Sequence, residues 1–124
     1  MNTPLYTRRQ RFLAATRAEI EAARRLEAQG DAAGAFTHLE RAHVLGQGLT
    51  RTHVQVHGEM LRWALHHRRP GEALGQLLRI AGAASKTALG WVPHGNTGGA
   101  NVSPFRAMSI PPDLQQAIDR LDRN

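Results

Sequence analysis

Hydrophobic positions in this chain recur at spacings of three and four residues, which is the periodicity of an amphipathic α-helix. Two of the resulting stripes mix polar with apolar residues: Phe36, Leu39, Glu40 and His43, then His53, His57, Met60, Leu61 and Ala64. A third stripe predicts that four residues face the interior: Leu74, Leu77, Leu78 and Ala81. The pattern therefore predicts an all-α fold with about four main helices.

Helix start and stop signals set the expected boundaries. Thr7 and Gln10 have capping-box spacing, Gly30 and Asp31 fit the end of one helix and the N-cap of the next, and Pro70 fits a first helical turn. These signals predict a first helix from residue 3 or 7 to about 29, further helices over about 32–45, 50–67 and from 70 to between 84 and 89, and a short C-terminal helix from 112.

The helices are expected to form repeat-like, tetratricopeptide-like hairpins. A similar pattern of small and aliphatic residues occurs twice, 38 residues apart: Ala35, Leu39 and Ala42, then Ala73, Leu77 and Ile80. The period of tetratricopeptide repeats is about 34 residues. The segment of about 90–112 is rich in Pro and Gly and has no helical period, so it is predicted to be a long ordered loop. Residues 1–124 are expected to form a single helical domain.

The amino-acid composition limits the kinds of functional site that the chain could carry. The chain contains no cysteine, which excludes disulfides, thiolate metal sites and thiol catalysis. A metal ion would have to be held by imidazole and carboxylate groups, which suit Zn, Ni, Cu(II), Co or Fe. No triad or paired-acid arrangement indicates catalytic residues, and the Gly- and Asn-rich stretch 95–101 lacks the Lys-Ser/Thr ending of a phosphate-binding loop. The sequence thus leans against an enzyme.

Charge and hydropathy bear on partners and location. The net charge is +6, but the arginines of the first helix are interspersed with glutamates and lack neighbouring aromatic residues that could stack on bases. This argues against nucleic-acid binding, since charge alone gives only non-specific attraction. No segment has the length and apolarity of a membrane span, and no signal peptide is apparent, so a cytoplasmic location is expected.

The histidines carry the most specific chemical hypothesis. His53 and His57 have the i, i+4 spacing that lets two imidazoles on one helix reach the same ion, and Glu40 and His43 have the Glu-x-x-His spacing of bundle metal sites. A turn at 46–48 should place position 43 opposite position 53. The predicted metal ligands are therefore Glu40, His43, His53 and His57. His94 lies in the predicted loop, and the sequence does not predict where it lies relative to this site.

A buried structural network is the alternative interpretation of the same residues. A buried carboxylate costs several kcal/mol unless it is paired or bound. Glu40 could be satisfied by His43, by His53, or by an arginine at position 41 or 62.

Several segments resemble a bacterial family of small stand-alone proteins known only as a domain of unknown function. The resemblance runs from about Ala14 to Leu114 and rests on segments that begin at His38 (HLERAHVLGQ), His53 (HVQVH) and Gly95 (GNTGGANVSPF). It implies one compact domain in which the loop is part of the fold. It supplies no activity, ligand or site residue.

Three hypotheses follow. The first is binding of a divalent transition metal for sensing, buffering or delivery. The second is a repeat-like protein-interaction module without a metal, and the sequence leaves open either a protein partner or self-association. The third is a metal-dependent enzyme, which would need an open coordination position and a pocket under the loop.

Overall fold

The computed structural model describes residues 6–88, 94–103 and 106–123, with the backbone alone for residues 83–88. These described residues form five α-helices and no strand. The helices are α1 (Arg8–Ala28), α2 (Ala32–Gly46), α3 (Thr50–His66), α4 (Pro70–Ala88) and α5 (Pro112–Arg123). The all-α prediction is confirmed, as is the order of four main helices, a loop region and a C-terminal helix.

Helical hairpins organise the packing. Helix α1 packs most extensively on α2, and α3 on α4, while a smaller contact between α2 and α3 joins the two pairs. The core between them consists mainly of aliphatic and small residues: Ile20, Ala23, Ala35, Leu39, Ala42, Val56, Met60, Trp63, Ala64 and Ala73. Alanine at the crossings allows helix axes to approach closely, as expected of a chain poor in aromatic residues.

The predicted caps are confirmed. Thr7 is the N-cap of α1, and its side chain accepts a hydrogen bond from the backbone of Gln10 in a complete capping box. Gly30 has a φ of +86°, the left-handed conformation that ends a helix, and Asp31 caps α2 through Gly34. The start of α1 is at the second of its two predicted positions.

A second, smaller core attaches α5 to the first hairpin. Leu114 of α5 is 1 % exposed and packs with Phe12 and Leu45. The guanidinium group of Arg11 donates to the backbone carbonyl of Leu121 at 2.8 Å. The C-terminal helix thus closes the end of the α1–α2 pair.

The orientation of α4 was predicted wrongly. Leu74, Leu77 and Leu78 are 61 %, 55 % and 70 % exposed, and Ala81 is exposed as well. The face that packs inward carries Ala73 and the fully buried Gln76. This helix turns a polar side to the protein because loop backbone groups cover that side and need hydrogen-bond partners.

The loop between α4 and α5 is described over 94–103 and 106–111. Over these stretches it is ordered against the helices, with Gly95, Asn96, Gly98 and Gly99 buried. The remaining parts of the predicted 90–112 segment, 90–93 and 104–105, lie outside the described residues. In the part of the chain that is described, no helix is long and apolar enough to span a membrane.

Candidate metal centre

Three buried histidines meet between α2 and α3. The Nε2 atom of His43 lies 2.9 Å from that of His53 and 3.2 Å from that of His57, and the last two are 3.1 Å apart. The three residues are only 3 %, 2 % and 2 % exposed. The predicted approach of positions 43 and 53 is thus present in the structure, and the i, i+4 pair reaches the same point.

The turn between α2 and α3 makes this approach possible. A Cβ atom on Gly46 would lie 2.7 Å from Cγ2 of Thr52 and 3.2 Å from Cγ2 of Thr16. Only glycine therefore lets the end of α2 pass so close to both α1 and α3. The close passage brings the last turn of α2, which carries His43, against the first turns of α3.

The outer nitrogens of two of these rings are held by oxygen acceptors. Nδ1 of His43 donates to the backbone carbonyl of Asn96 at 2.6 Å, and Nδ1 of His57 donates to Oε1 of Gln76 at 2.5 Å. The Gln76 amide is oriented by its own Nε2, which donates to Glu72 and to the carbonyl of Gly98. Because these acceptors carry no hydrogen for the rings, Nδ1 of both histidines must hold the proton.

This protonation pattern determines what the inner nitrogens present. A neutral imidazole with its proton on Nδ1 offers a lone pair at Nε2. The lone pairs of His43 and His57 therefore point into the shared centre, where two such atoms repel at 3.2 Å. A positive centre, either a metal ion or a proton donated by His53, stabilises the arrangement.

The 94–103 loop lies directly on the histidines. Gly98 has a φ of +80°, and a Cβ atom there would lie 2.4 Å from Cδ2 of His43. Asn96 is 2 % exposed and shapes the loop from inside. Its side chain accepts from the backbone of Gly98 at 2.9 Å and donates to the carbonyls of Ser103 and Arg106. The loop therefore both covers the cluster and supplies the acceptor for His43.

The polar face of α4 holds the other side of this loop. The carboxylate of Glu72 accepts from the backbone N–H of Ala100 at 3.0 and 3.1 Å. Arg79 donates to the carbonyls of Gly98, Gly99 and Val102. Helix α4 thus connects to the histidine cluster both directly, through Gln76, and through the loop.

Glu40 does not belong to the group of converging ligand atoms, which is formed by the three histidines among the described residues. It lies one helical turn before His43 and is partly buried. Burial raises the pKa of Glu40, the nearby Glu72 raises it further, and a hydrogen bond with Thr97 lowers it. A carboxylate beside the cluster therefore resists ionisation.

Arg41 and Arg62, the two arginines proposed as partners of Glu40, are engaged elsewhere. Arg41 binds Glu19 and Asp113, and Arg62 binds Glu27 and Glu59.

The remaining histidines lie away from the centre. His38 pairs with Glu19 at 2.6 Å, and His67 pairs with Glu27 at 2.8 Å. His66 is exposed at the end of α3. His94 is also exposed, and its carbonyl accepts from the backbone of Met108.

Sequence patterns missed Gln76, Asn96 and Gly98. The predicted inward face of α4 consisted of Leu74, Leu77, Leu78 and Ala81 and did not include Gln76, and the other two residues lie in the predicted loop. A usable signal was present in α4, where Glu72, Gln76 and Arg79 lie at i, i+4 and i+7 and form one polar face. That spacing alone does not predict whether the polar face is covered by a loop or exposed to water.

Comparison with known proteins places the chain in one family. A family described as a protein of unknown function (DUF3703) matches residues 10–118. No curated protein and no solved structure matches the chain significantly.

Proposed function

We propose that this chain, which belongs to the DUF3703 family, binds one divalent transition-metal ion through Nε2 of His43, His53 and His57. The observation that carries the proposal is the convergence of three Nε2 atoms, two of them on rings whose Nδ1 protons are held by oxygen acceptors. Metal-bound histidines commonly donate their other ring N–H to a carbonyl or carboxylate in this way, which fixes the tautomer.

The nitrogen separations restrict the coordination geometry. Metal–nitrogen bonds of about 2.0–2.1 Å separate neighbouring ligands by about 2.9 Å in an octahedron and about 3.3 Å in a tetrahedron. The distances of 2.9, 3.1 and 3.2 Å fall in this interval. A square-planar ion would hold two of three ligands in trans, about 4 Å apart. The site therefore favours Zn²⁺, Co²⁺ or Fe²⁺ over square-planar Cu²⁺ or Ni²⁺.

We assign the fourth ligand to Glu40, as the Glu-x-x-His spacing predicts. A rotamer change would have to bring its carboxylate from the side of Thr97 to the ion. Ionisation of Glu40 would then be supported by the metal charge, which would offset the burial that raises its pKa. A bound water is the competing occupant of this position.

Burial of the ligands favours a sensing or storage role for this site. The imidazoles are at most 3 % exposed, and the 94–103 loop must move for an ion to enter or leave. An ion held behind such a loop exchanges more slowly than one in an open site. The metal-dependent enzyme would require the loop to open onto a substrate pocket.

Metal analysis of untagged protein, purified without chelator, tests the proposal. About one equivalent of metal per chain is expected, and both His53→Ala and His57→Ala should abolish it. His66→Ala is the matched control, because His66 lies on the same helix but is exposed. A wild-type chain that contains no metal, and whose melting temperature ignores added Zn²⁺, Co²⁺ and Fe²⁺, would refute metal binding.

The alternative is a repeat-like protein-interaction module in which the histidines form a structural network. The direct link from His57 through Gln76 to the loop favours this reading, since such a network also rigidifies a core. Cobalt substitution separates the two functions. A tetrahedral Co²⁺ site with nitrogen ligands gives strong visible absorption, which a metal-free network cannot produce.

A further inference from the structure

The outer surface of α4 is apolar over residues 70–82, the part of this helix whose side chains are described. Over residues 70–82, where side chains are described, every exposed position is occupied by a residue without charge or polar side-chain group: Pro70, Gly71, Leu74, Leu77, Leu78, Ala81 and Gly82. We call these residues the leucine face. All the polar side chains of this stretch lie on the opposite side, where Glu72, Gln76 and Arg79 bind the loop and the histidine cluster.

This distribution is the reverse of that on a solvated helix. A helix on the surface of a monomer normally turns its charged residues to water. In α4 the polar residues bind the 94–103 loop instead, so the leucines are exposed to solvent. Leu74, Leu77 and Leu78 are 61 %, 55 % and 70 % exposed, and Leu65 of α3 is 65 % exposed. Leu65 lines a shallow groove with Pro70 and Ala73 at the start of the leucine face.

We infer that the leucine face binds the same face of a second copy of this chain in a two-fold, antiparallel helix pair. The three leucines of this face and the adjacent Leu65 together expose roughly 450 Å² of apolar surface, about the size of the largest patch found on a typical monomer. A two-fold contact that covers these leucines completely would bury roughly twice that area, which approaches the lower range of specific interfaces. The expected dimer is therefore of moderate affinity, with a dissociation constant on the order of micromolar.

The order of residue sizes along the face is self-complementary. Small Gly71 is followed by Leu74 at one end, and Ala81 is preceded by Leu78 at the other. In an antiparallel pair, Leu74 of one copy meets Leu78 of the other, and Gly71 meets Ala81. Each of these contacts then occurs twice, once on either side of the two-fold axis, as in any isologous interface. Because the face carries no charged residue, pairing with a second copy buries no unpaired charge.

Charge next to the face favours the antiparallel direction. Arg68 and Arg69 are exposed just before α4. A parallel pair would place these arginines beside their copies. An antiparallel pair separates the two starts of α4 by about 18 Å along the axis, at 1.5 Å per residue. The arginines that precede them are at least as far apart, which exceeds the Debye length of about 8 Å at physiological salt.

Sedimentation equilibrium between about 5 and 200 µM measures the association. The wild-type chain should be dimeric at the upper concentrations, and Leu78→Glu should be monomeric with unchanged helix content, because this side chain is exposed in the single chain. Ala33→Glu, at an exposed position of α2, is the matched control and should remain dimeric. A wild-type monomer at 200 µM, or a dimer that survives Leu78→Glu, overturns the proposal.

Disulfide trapping tests the direction of the pair, since the natural chain has no cysteine. Leu77→Cys lies near the expected two-fold axis and should form a covalent dimer on mild oxidation. Gly71→Cys has free space for its side chain, lies at the end of the face and should not. Efficient trapping at both positions would contradict the antiparallel pair, as would the absence of trapping at position 77.

Discussion

The protonation state of individual imidazoles is the smallest feature on which the proposed metal binding depends. His43 and His57 are each committed at Nδ1, to Asn96 and Gln76, so their Nε2 lone pairs are available at the centre. Metal affinity must then fall with decreasing pH, because protons compete for the same nitrogens. In the proposed site, the acceptors around the rings would therefore influence metal binding without touching the ion.

Substitution of Gln76 tests that role. Gln76→Leu keeps the approximate volume but removes the acceptor for Nδ1 of His57. Loss of such an outer-shell partner typically lowers metal affinity by about 10–100-fold. Competition titration with a chromophoric chelator measures this change, with Thr37→Val, at an exposed position of α2, as the control. Unchanged affinity would show that the His57–Gln76 contact does not orient the ligand.

Glu40 gives a pH-dependent prediction. Its folded-state pKa is raised, mainly by burial, above the ordinary value of 4.5. Ionised Glu40 therefore destabilises the metal-free fold once the pH exceeds 4.5, and the penalty is complete above the folded-state pKa. Glu40→Gln should raise the melting temperature of metal-free protein at neutral pH and leave it unchanged below pH 4.5.

The same variant tests the fourth ligand. If Glu40 binds the ion, Glu40→Gln should weaken metal binding although it stabilises the metal-free protein. Chemical denaturation with and without metal separates the two effects. A variant with wild-type metal affinity would exclude Glu40 as a ligand and leave the three-histidine site intact.

At the level of elements, the spacing of residues along the sequence was sufficient to predict the helices and the meeting of the three histidines. Helix starts at Thr7 and Asp31 follow from side-chain caps that act within three residues. The meeting of His43 with His53 follows from one turn and two helical periods. These are local relations, which sequence patterns report well.

The orientation of α4 could not be obtained in this way. Its two faces are an apolar stripe and a polar stripe, and periodicity alone assigns the apolar one to the core. The outcome is reversed because the carbonyls of Gly98, Gly99 and Val102 need donors, which Arg79 supplies. That demand comes from a loop about 20 residues further along the chain, whose conformation depends on Gly98 in turn. For the same reason, sequence patterns could not predict that Asn96 and Gln76 bind the buried histidines.

The 94–103 loop is the element on which the proposed metal site should depend. Gly98 has a positive φ and lies against His43, so Gly98→Ala should cost about 1–2 kcal/mol in backbone strain alone and should also displace the loop. We expect reduced metal affinity and faster amide hydrogen exchange over 95–100. Gly58→Ala is the matched control, since a Cβ atom at that position meets no neighbour. Equal exchange in the two variants would contradict a loop that supports the site.

On the scale of the whole molecule, charged contacts join the two hairpins away from the histidine cluster. Glu27 at the end of α1 accepts from Arg62 at 2.8 Å and pairs with His67 at the same distance. Burial alone would raise the pKa of Glu27, but hydrogen bonds from Arg62 and His67 outweigh it and lower the pKa below its ordinary value of 4.5. The ionised carboxylate is thus favoured in the fold.

Acid should weaken this connection. A lowered pKa contributes stability that is present above pH 4.5 and is lost as the pH falls through the folded-state value. Glu27→Gln should therefore cost roughly 1 kcal/mol at neutral pH and progressively less in acid. Urea denaturation at several pH values measures the difference, and a cost independent of pH would contradict an ionic contribution.

In the proposed site, the Nε2 atoms of three particular histidines hold one metal ion. Long-range ¹H–¹⁵N correlation spectra of the imidazoles report each ring nitrogen directly during titration with Zn²⁺. We predict that His43, His53 and His57, among the seven histidines of the chain, shift at Nε2 and saturate together at one equivalent, with Nδ1 protonated. Spectra in which these three rings are unchanged, or in which the shifts arise at His38, His66, His67 or His94, would contradict the account.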